Sequence, residues 1–508
     1  MASPLRMKSG PGQPRTSLSR TPRNAPMTTR IPNWIDGRPQ PAVRGSEIPV
    51  VDPATGERVS TLAASGAEDV SAAQAAAARA FPSWSARPAA ERAELLERLA
   101  GLVERDLDRL ARLESVDSGK PLALSRSVDI PRAAANLRFF AEAVRTWRPD
   151  EELRAANSRS LVLRRPAGVA GCISPWNLPL YLFTWKVAPA LAAGCTVVAK
   201  PSEETPMTAA ALGELSAEAG FPTGVLNVVQ GRGAEAGAAI VANPGIPVIT
   251  FTGGTETGAR IMQVAGPMFK RVALELGGKN PTIVFEDADF DAAVAGAVRA
   301  GFQNQGQICL CGSRVLVERA IYARFRDAFV ERVRALRVGD PMEAGTDQGS
   351  LVSQAHRAKV AAAVERARAE GGRILCGGGP PEPESLPGRV RAGAFWMPTV
   401  IEGLPMGCAT NQEEIFGPVV TIAPFDGEDE AVSLANHSRY GLAANVWTRD
   451  HARGLRMAER LEFGIVWINA WLLRDLRVPF GGTKHSGVGR EGGEEALRFF
   501  TEPKAITW

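Results

Sequence analysis

Four apolar runs decide the fold: GVAGCIS at residues 168–174, CTVVAKPS at 195–202, GVLNVVQG at 224–231 and PVITFTGG at 247–254. Each is short, rich in Val and Ile, and closed by Gly, Ser or Pro. A run that is apolar throughout, rather than alternating, predicts a strand buried on both faces. Between the runs, Trp185–Ala193 and Thr208–Ala219 carry helical patterns, the first despite Pro189. Strands that alternate with helices predict an α/β fold with a parallel sheet covered on both sides.

The pattern extends in both directions. Upstream, IPNWIDGR from Ile31 reads as a strand and turn. Ala67–Val144 is largely helical, with apolar residues three and four apart. A polar stretch, Arg148–Arg159, leads into LVLRRP. Downstream comes a second alternating series. TIVFEDADF and SRVLVER read as strands, as do RILCGGG, TVIEGL, VVTIAPF, ANVWT and GIVWINA. Helices are read at Asp291–Phe302, Ile321–Leu336 and His356–Glu370. Pro479–Gly493 is a glycine-rich loop, and the terminal AITW is strand-like and able to pair with a partner subunit.

Composition narrows the class. A chain of 508 residues is too long for one ordinary core. Residues 1–30 hold six basic residues and no acid. Without them the formal charge of +4 becomes slightly negative. A neutral body with a basic tail argues against a nucleic-acid-binding surface. Residues 1–30 read as a disordered tail, or as sequence ahead of a true start at Met27; a transit peptide is the less favoured reading. Six cysteines in so long a chain suggest free thiols in a reducing, cytoplasmic setting. Neither Cys-x-x-Cys nor His-Glu-x-x-His is present, so no metal is expected. The uncharged stretches Pro166–Trp185 and Ala236–Thr255 contain prolines and glycines unsuited to a lipid-exposed helix, so no membrane partner is expected.

Four places carry possible chemistry. Cys309 ends Gln-Asn-Gln-Gly-Gln-Ile-Cys; near a helix boundary a thiol can ionise more easily and act as a nucleophile. Alone, a free cysteine is more often buried and inert. Glu275 precedes Gly277-Gly278, where backbones can approach closely; it reads as a general base or as a plain surface charge. Asn177, between Pro175 and Pro179, reads as an oxyanion donor or part of a rigid turn. Thr252-Gly253-Gly254-Thr255-Glu256-Thr257-Gly258 follows a strand and can cradle phosphate on its amides, although it matches neither common glycine fingerprint.

Their joint order is more specific than any one of them. PWNLP, Trp185-Lys186, KPSE at 200–203, FTGG, LELGGK, GQIC, EEIFGPV at 413–419 and PFGG at 479–482 follow one another. From about Ile31 to the end the chain resembles the aldehyde dehydrogenase superfamily. The resemblance implies an NAD-binding domain of Rossmann type over 31–146 and 167–278 and an α/β catalytic domain over 279–485. It also implies a strand-based oligomerisation element over 147–166 and 486–508, in a homodimer or homotetramer. It implies Cys309 as nucleophile, forming a thiohemiacetal and then a thioester. Asn177 would hold the oxyanion with the Cys309 amide, Glu275 would activate water, and Lys186 would relay protons. For the cofactor it implies Trp176, Lys200, Glu203, Gly253, Gly254, Gly258, Glu414 and Phe416. A carboxylate at Glu203 favours NAD over NADP, because it binds ribose hydroxyls and repels a 2′-phosphate. Gly254 stands where many members have Ser. Cys311 reads as a packing or accessory thiol.

The stretches DIPRAAAN at 129–136, ICLC at 308–311 and WLLRDLRVPFGG at 471–482 are similar to those of 2-hydroxymuconic and 2-aminomuconic semialdehyde dehydrogenases. The resemblance implies a semialdehyde that carries a carboxylate at its far end. Arg132 and Arg474 are the expected clamp, with Arg477 as a spare, since a guanidinium matches a carboxylate bidentately. Alternatively Arg474 pairs with Asp475 and only holds its loop. Other readings are a dehydrogenase for an uncharged or cationic aldehyde such as betaine aldehyde, a CoA-acylating relative, and a non-catalytic protein on the same fold.

Overall fold

A computed structural model describes residues 30–508. The basic tail therefore lies, apart from Arg30, outside the described residues.

The four apolar runs become the strands Val169–Ile173, Thr196–Lys200, Leu226–Val228 and Val248–Thr252. With Arg271–Glu275 they form a parallel block. Numbered along the chain, its spatial order is 3-2-1-4-5. The order reverses between Val169–Ile173 and Val248–Thr252. At such a switch point the flanking connections leave in opposite directions and open a crevice at the carboxyl ends of the strands. Antiparallel strands finish the sheet: Asn33–Ile35 and Arg38–Gln40 at one edge, Gly487–Val488 at the other.

Both faces of this sheet are covered. One packs on a core that includes Leu96, Phe140, Phe183, Trp185 and Leu191, the other on Val70, Ala73, Ile240 and Ile249. The helix Pro179–Ala193 is buried along its whole length. That explains its nearly continuous apolar sequence, since a helix surrounded by protein has no polar face. It begins before the stretch expected from sequence, with Pro179 in its first turn and Gly194 (φ 95°) closing it.

The second series forms a seven-stranded sheet in the order Arg373–Cys376, Thr399–Glu402, Val419–Phe425, Arg314–Glu318, Pro281–Val284, Ala443–Trp447, Ile465–Ile468. Only the first of these is antiparallel to its neighbour. Parallel neighbours require crossovers, and these include the helices Gly427–Asn436 and His451–Arg460, which the sequence reading left out.

One expectation is corrected by the third sheet. The polar stretch after Arg148 contains a strand, Glu151–Ala155, which forms a hairpin with Ser158–Pro166. The terminal AITW lies in the strand Thr501–Thr507 and pairs with Ser158–Pro166 of its own chain. It is an edge of that sheet, so its other side stays open. Among the described residues, no helix is long and apolar enough to cross a membrane.

Candidate active site

Asn177 is placed by the crevice. It follows Val169–Ile173 at the switch point and is buried. Its Nδ2 donates to the Gln307 carbonyl at 2.9 Å, which leaves its second N–H free. Its own carbonyl accepts from Lys120 Nζ at 2.9 Å and from Asn304 Nδ2 at 3.1 Å. The Asn177 backbone is therefore held from two sides.

Cys309 lies in the loop between the helix Phe290–Phe302 and the strand Arg314–Glu318. Asn304 (φ 55°), Gln305 (φ 56°) and Gly306 (φ 68°) are consecutive left-handed residues in this loop. Such backbone costs energy for non-glycine residues. Side-chain bonds hold it: Asn304 to Asn177, and Gln305 Nε2 to the Ser350 carbonyl at 2.8 Å. The Cys309 carbonyl accepts from Asn280 Nδ2 at 2.7 Å. The expectation of a more easily ionised thiol is not met. Burial pushes the Cys309 thiol up, and the carboxylates of Glu414 and Glu275 push the same way.

Glu275 ends the strand Arg271–Glu275 and is buried, so the plain surface-charge reading fails. Its Oε2 makes no hydrogen bond. Burial raises its carboxyl well above the ordinary range, and the charge of Glu491 adds to this. The close-approach reading of the glycines holds. A Cβ on Gly277 would fall on the Glu414 carboxylate, and one on Gly278 would lie 2.9 Å from the Cys309 carbonyl oxygen. Gly278 N–H donates to Glu414 Oε1 at 2.9 Å. Lys186 Nζ bonds Glu491 Oε1 at 2.8 Å and Thr250 Oγ1 at 3.0 Å. Glu491 was missed in the sequence, where it is one acid inside a glycine-rich loop.

Cys309, Glu275, Arg132 and Arg474 line one cavity, with Tyr181, Phe480 and Glu491. Arg474 does not pair with Asp475. Its guanidinium carbon sits 4.2 Å from the Trp185 ring centre, 4.6 Å from Phe480 and 5.3 Å from Tyr181. Its Nη2 is buried without a partner. Arg132 lies 5.7 Å from the Tyr181 ring centre. Arg477 is corrected: it is absent from this cavity, exposed, and bonded to Asp475 through Nε at 2.9 Å. It lines instead a larger cleft that Arg474 and Phe480 also border.

The cofactor candidates lie along the carboxyl ends of the first sheet. Lys200 is buried, and its Nζ donates to Glu203 Oε2 at 3.0 Å. Glu203 Oε1 accepts from Gly233 N–H at 3.0 Å. Burial opposes the Glu203 charge, but these partners overcome it and hold its carboxyl below the usual range. Gly253 and Gly254 lead into the helix Thr255–Ala265, with open space where a Gly254 Cβ would be. Thr255 Oγ1 there is buried and unpartnered. Gly258 has no such space: a Cβ would meet the Leu276 side chain at 2.7 Å, so its role is close packing. Trp176 packs edge-on against Phe416 at 5.2 Å, and Phe416 takes a left-handed φ of 58°. Cys311 is buried in the apolar cluster beside the site. The described residues hold no group of three or more side chains suited to a metal ion.

A partly buried cysteine, a desolvated carboxylate and an amide donor converge below a dinucleotide-type crevice, and this defines a thiol-dependent oxidoreductase acting on carbonyl compounds. The sequence profile of the Aldehyde dehydrogenase family matches residues 41–506, and the chain belongs to that family; it is an enzyme. It is 48% identical over 478 residues to a 2-aminomuconic semialdehyde dehydrogenase of Danio rerio, covering 94% of this chain and 98% of that one. It is 46% identical over 486 residues to a 2-hydroxymuconic semialdehyde dehydrogenase of Pseudomonas sp. strain CF600, covering 94% and 99%. A solved betaine aldehyde dehydrogenase from Staphylococcus aureus, in complex with NAD+, superposes with a TM-score of 0.91 at 38% identity, covering 94% of each chain.

Proposed function

We propose that the enzyme oxidises a carboxylate-bearing semialdehyde, such as 2-hydroxymuconic or 2-aminomuconic semialdehyde, to the dicarboxylic acid with NAD. The observation that carries this reading is Arg474, a guanidinium in the wall of the Cys309 cavity with a buried, unpartnered Nη2 and no carboxylate bonded to it among the described residues. Arg132 lines the same cavity. Each charge-assisted bond to a substrate carboxylate contributes about 1.5–3 kcal/mol. The names of the semialdehyde dehydrogenases above support the same substrate class. A quaternary ammonium aldehyde fits poorly, because the aromatic faces it would need are already occupied by Arg474.

The residues suit NAD. The Glu203 carboxylate accepts ribose hydroxyls and repels a 2′-phosphate. Gly253, Gly254 and the free Thr255 hydroxyl suit a pyrophosphate, and Trp176, Glu414 and Phe416 are the proposed contacts to the nicotinamide and its ribose. Lys200 holds Glu203 in place. NAD, when bound, supplies the hydride acceptor.

The chain's own part runs as follows. Glu275 takes the Cys309 proton and passes it to the Lys186–Glu491 pair, and the sulfur adds to the aldehyde carbon, giving a thiohemiacetal. The free N–H of Asn177 and the Cys309 amide hold the oxygen that becomes negative; one such donor is worth about 2.7–4 kcal/mol. After oxidation to the thioester, Glu275 takes a proton from water, which attacks the acyl carbon and releases the acid and the Cys309 thiolate. The Lys186–Glu491 pair takes that proton onward.

We also propose a homodimer or homotetramer in the cytoplasm. Met262, Val264, Met268 and Phe269 are exposed together around the end of one helix, and the edge strand Ile465–Ile468 lacks a second neighbour. The cysteines are free. The NAD-binding and catalytic units take the boundaries given above. Residues 487–488 join the first sheet, however, so the oligomerisation element is essentially Glu151–Pro166 with Thr501–Thr507.

The test is steady-state kinetics of an Arg132→Ala, Arg474→Ala double variant. KM for 2-hydroxymuconic semialdehyde is expected to rise at least a hundredfold while KM for hexanal stays nearly constant. Equal effects on both would sink the clamp.

A further inference from the structure

We propose that Tyr181 is a specificity-determining residue whose hydroxyl donates a hydrogen bond to the distal carboxylate of the substrate, beside Arg132 and Arg474. The inference rests on the semialdehyde reading above and deepens it.

Tyr181 sits in the first turn of the helix Pro179–Ala193 and is 3% exposed. Its side chain lines the cavity that holds Cys309. Its Oη makes no hydrogen bond. A buried hydroxyl left unpaired is costly, and a phenylalanine would pack there without that cost. The two clamp arginines lie on its ring, Arg474 at 5.3 Å and Arg132 at 5.7 Å from the centre. Three donors thus line the same cavity around one ring: the phenol, the unpartnered Nη2 of Arg474 and the Arg132 guanidinium. A carboxylate has about four acceptor positions and can satisfy a bidentate guanidinium and a phenol together.

The position is held firmly. The Tyr181 carbonyl accepts from Asn136 Nδ2 at 3.0 Å, and Asn136 lies one turn beyond Arg132 on the helix Ile130–Thr146. The helix bearing the phenol is therefore tied to the helix bearing one clamp arginine. Asp129, three residues before Arg132 in this wall, is bound to Lys120 Nζ at 2.6 Å, which offsets part of its charge. Burial pushes the phenol up, with the two arginines acting against it, so the hydroxyl keeps its proton and serves as a donor at neutral pH.

The experiment compares wild type, Tyr181→Phe and the double arginine variant on 2-hydroxymuconic semialdehyde and on hexanal, with Tm measured alongside. Phenylalanine keeps the ring on which the arginines rest and removes only the donor. Tyr181→Phe is expected to raise KM for the acid semialdehyde on the order of tenfold or more. Its kcat, its KM for hexanal and its Tm should stay close to wild type. An unchanged KM for the acid semialdehyde, with the arginine variant still losing its preference, would overturn the inference and leave the clamp standing. An equal loss on both aldehydes would place the hydroxyl at the reacting end and overturn it as well. A wild type with no preference for the acid semialdehyde would remove the reading on which the inference rests.

Discussion

Ionisation at single residues sets the pH dependence of this site. Glu275 is raised by burial and by the charge of Glu491, so its basic form fills only as pH climbs above the ordinary carboxylate range. Deacylation should therefore increase with pH along a limb displaced to the alkaline side. Glu491→Gln removes the repelling charge and leaves the Lys186 cation in place, so the limb should move to lower pH. A kcat profile of the two proteins checks this, and a limb that stays put or moves up would contradict the assignment. Residues with this kind of role were unevenly legible. Cys309, Glu275 and Asn177 lie inside long motifs and could be read from order alone. Arg474 and Arg477 are three positions apart in one loop, and only coordinates show that Asp475 takes one and leaves the other. Tyr181 and Glu491 carried no pattern at all, because a buried polar contact across the chain leaves no local trace in sequence.

At the level of elements, the loop that presents Cys309 depends on left-handed backbone. Gly306 has φ 68°, and a Cβ there would meet the Gly417 carbonyl. Gly306→Ala combines backbone strain with overpacking, and should cost about 2–5 kcal/mol of stability. It should also lower activity more than tenfold, because Gly417 follows Phe416, a residue proposed above to contact the cofactor. Chemical denaturation and initial rates measure the two effects, and a variant within about 0.5 kcal/mol of wild type, the usual margin of a surface substitution, would contradict the argument. Elements differed in legibility for a related reason. Val169–Ile173 and its neighbours are buried on both faces, so their composition alone marks them. The strand Glu151–Ala155 is exposed throughout and carries no apolar pattern. The helix His451–Arg460 is short and mostly polar, and is recognisable chiefly because two parallel strands flank it.

For the whole molecule, the doubly wound order of the first sheet brings Asn177, Thr252 and Glu275 to one edge, and the second unit supplies Cys309 to meet them. The exposed Met262, Val264, Met268 and Phe269 and the open edge of Ile465–Ile468 predict association. Light scattering after gel filtration should give a mass of two or four chains. Removal of residues 501–508, which strips one strand from the three-stranded sheet, should yield smaller species. A full-length protein that runs as a monomer at micromolar concentration would contradict the oligomer.

The most direct test of the central claim is NADH formation by the purified enzyme on 2-hydroxymuconic semialdehyde and on hexanal, with Cys309→Ala as control. Rapid oxidation of the acid semialdehyde, a kcat/KM at least a hundredfold higher than for hexanal, and no turnover by Cys309→Ala are the results predicted. Preference for hexanal, or turnover that survives the loss of Cys309, would contradict the account.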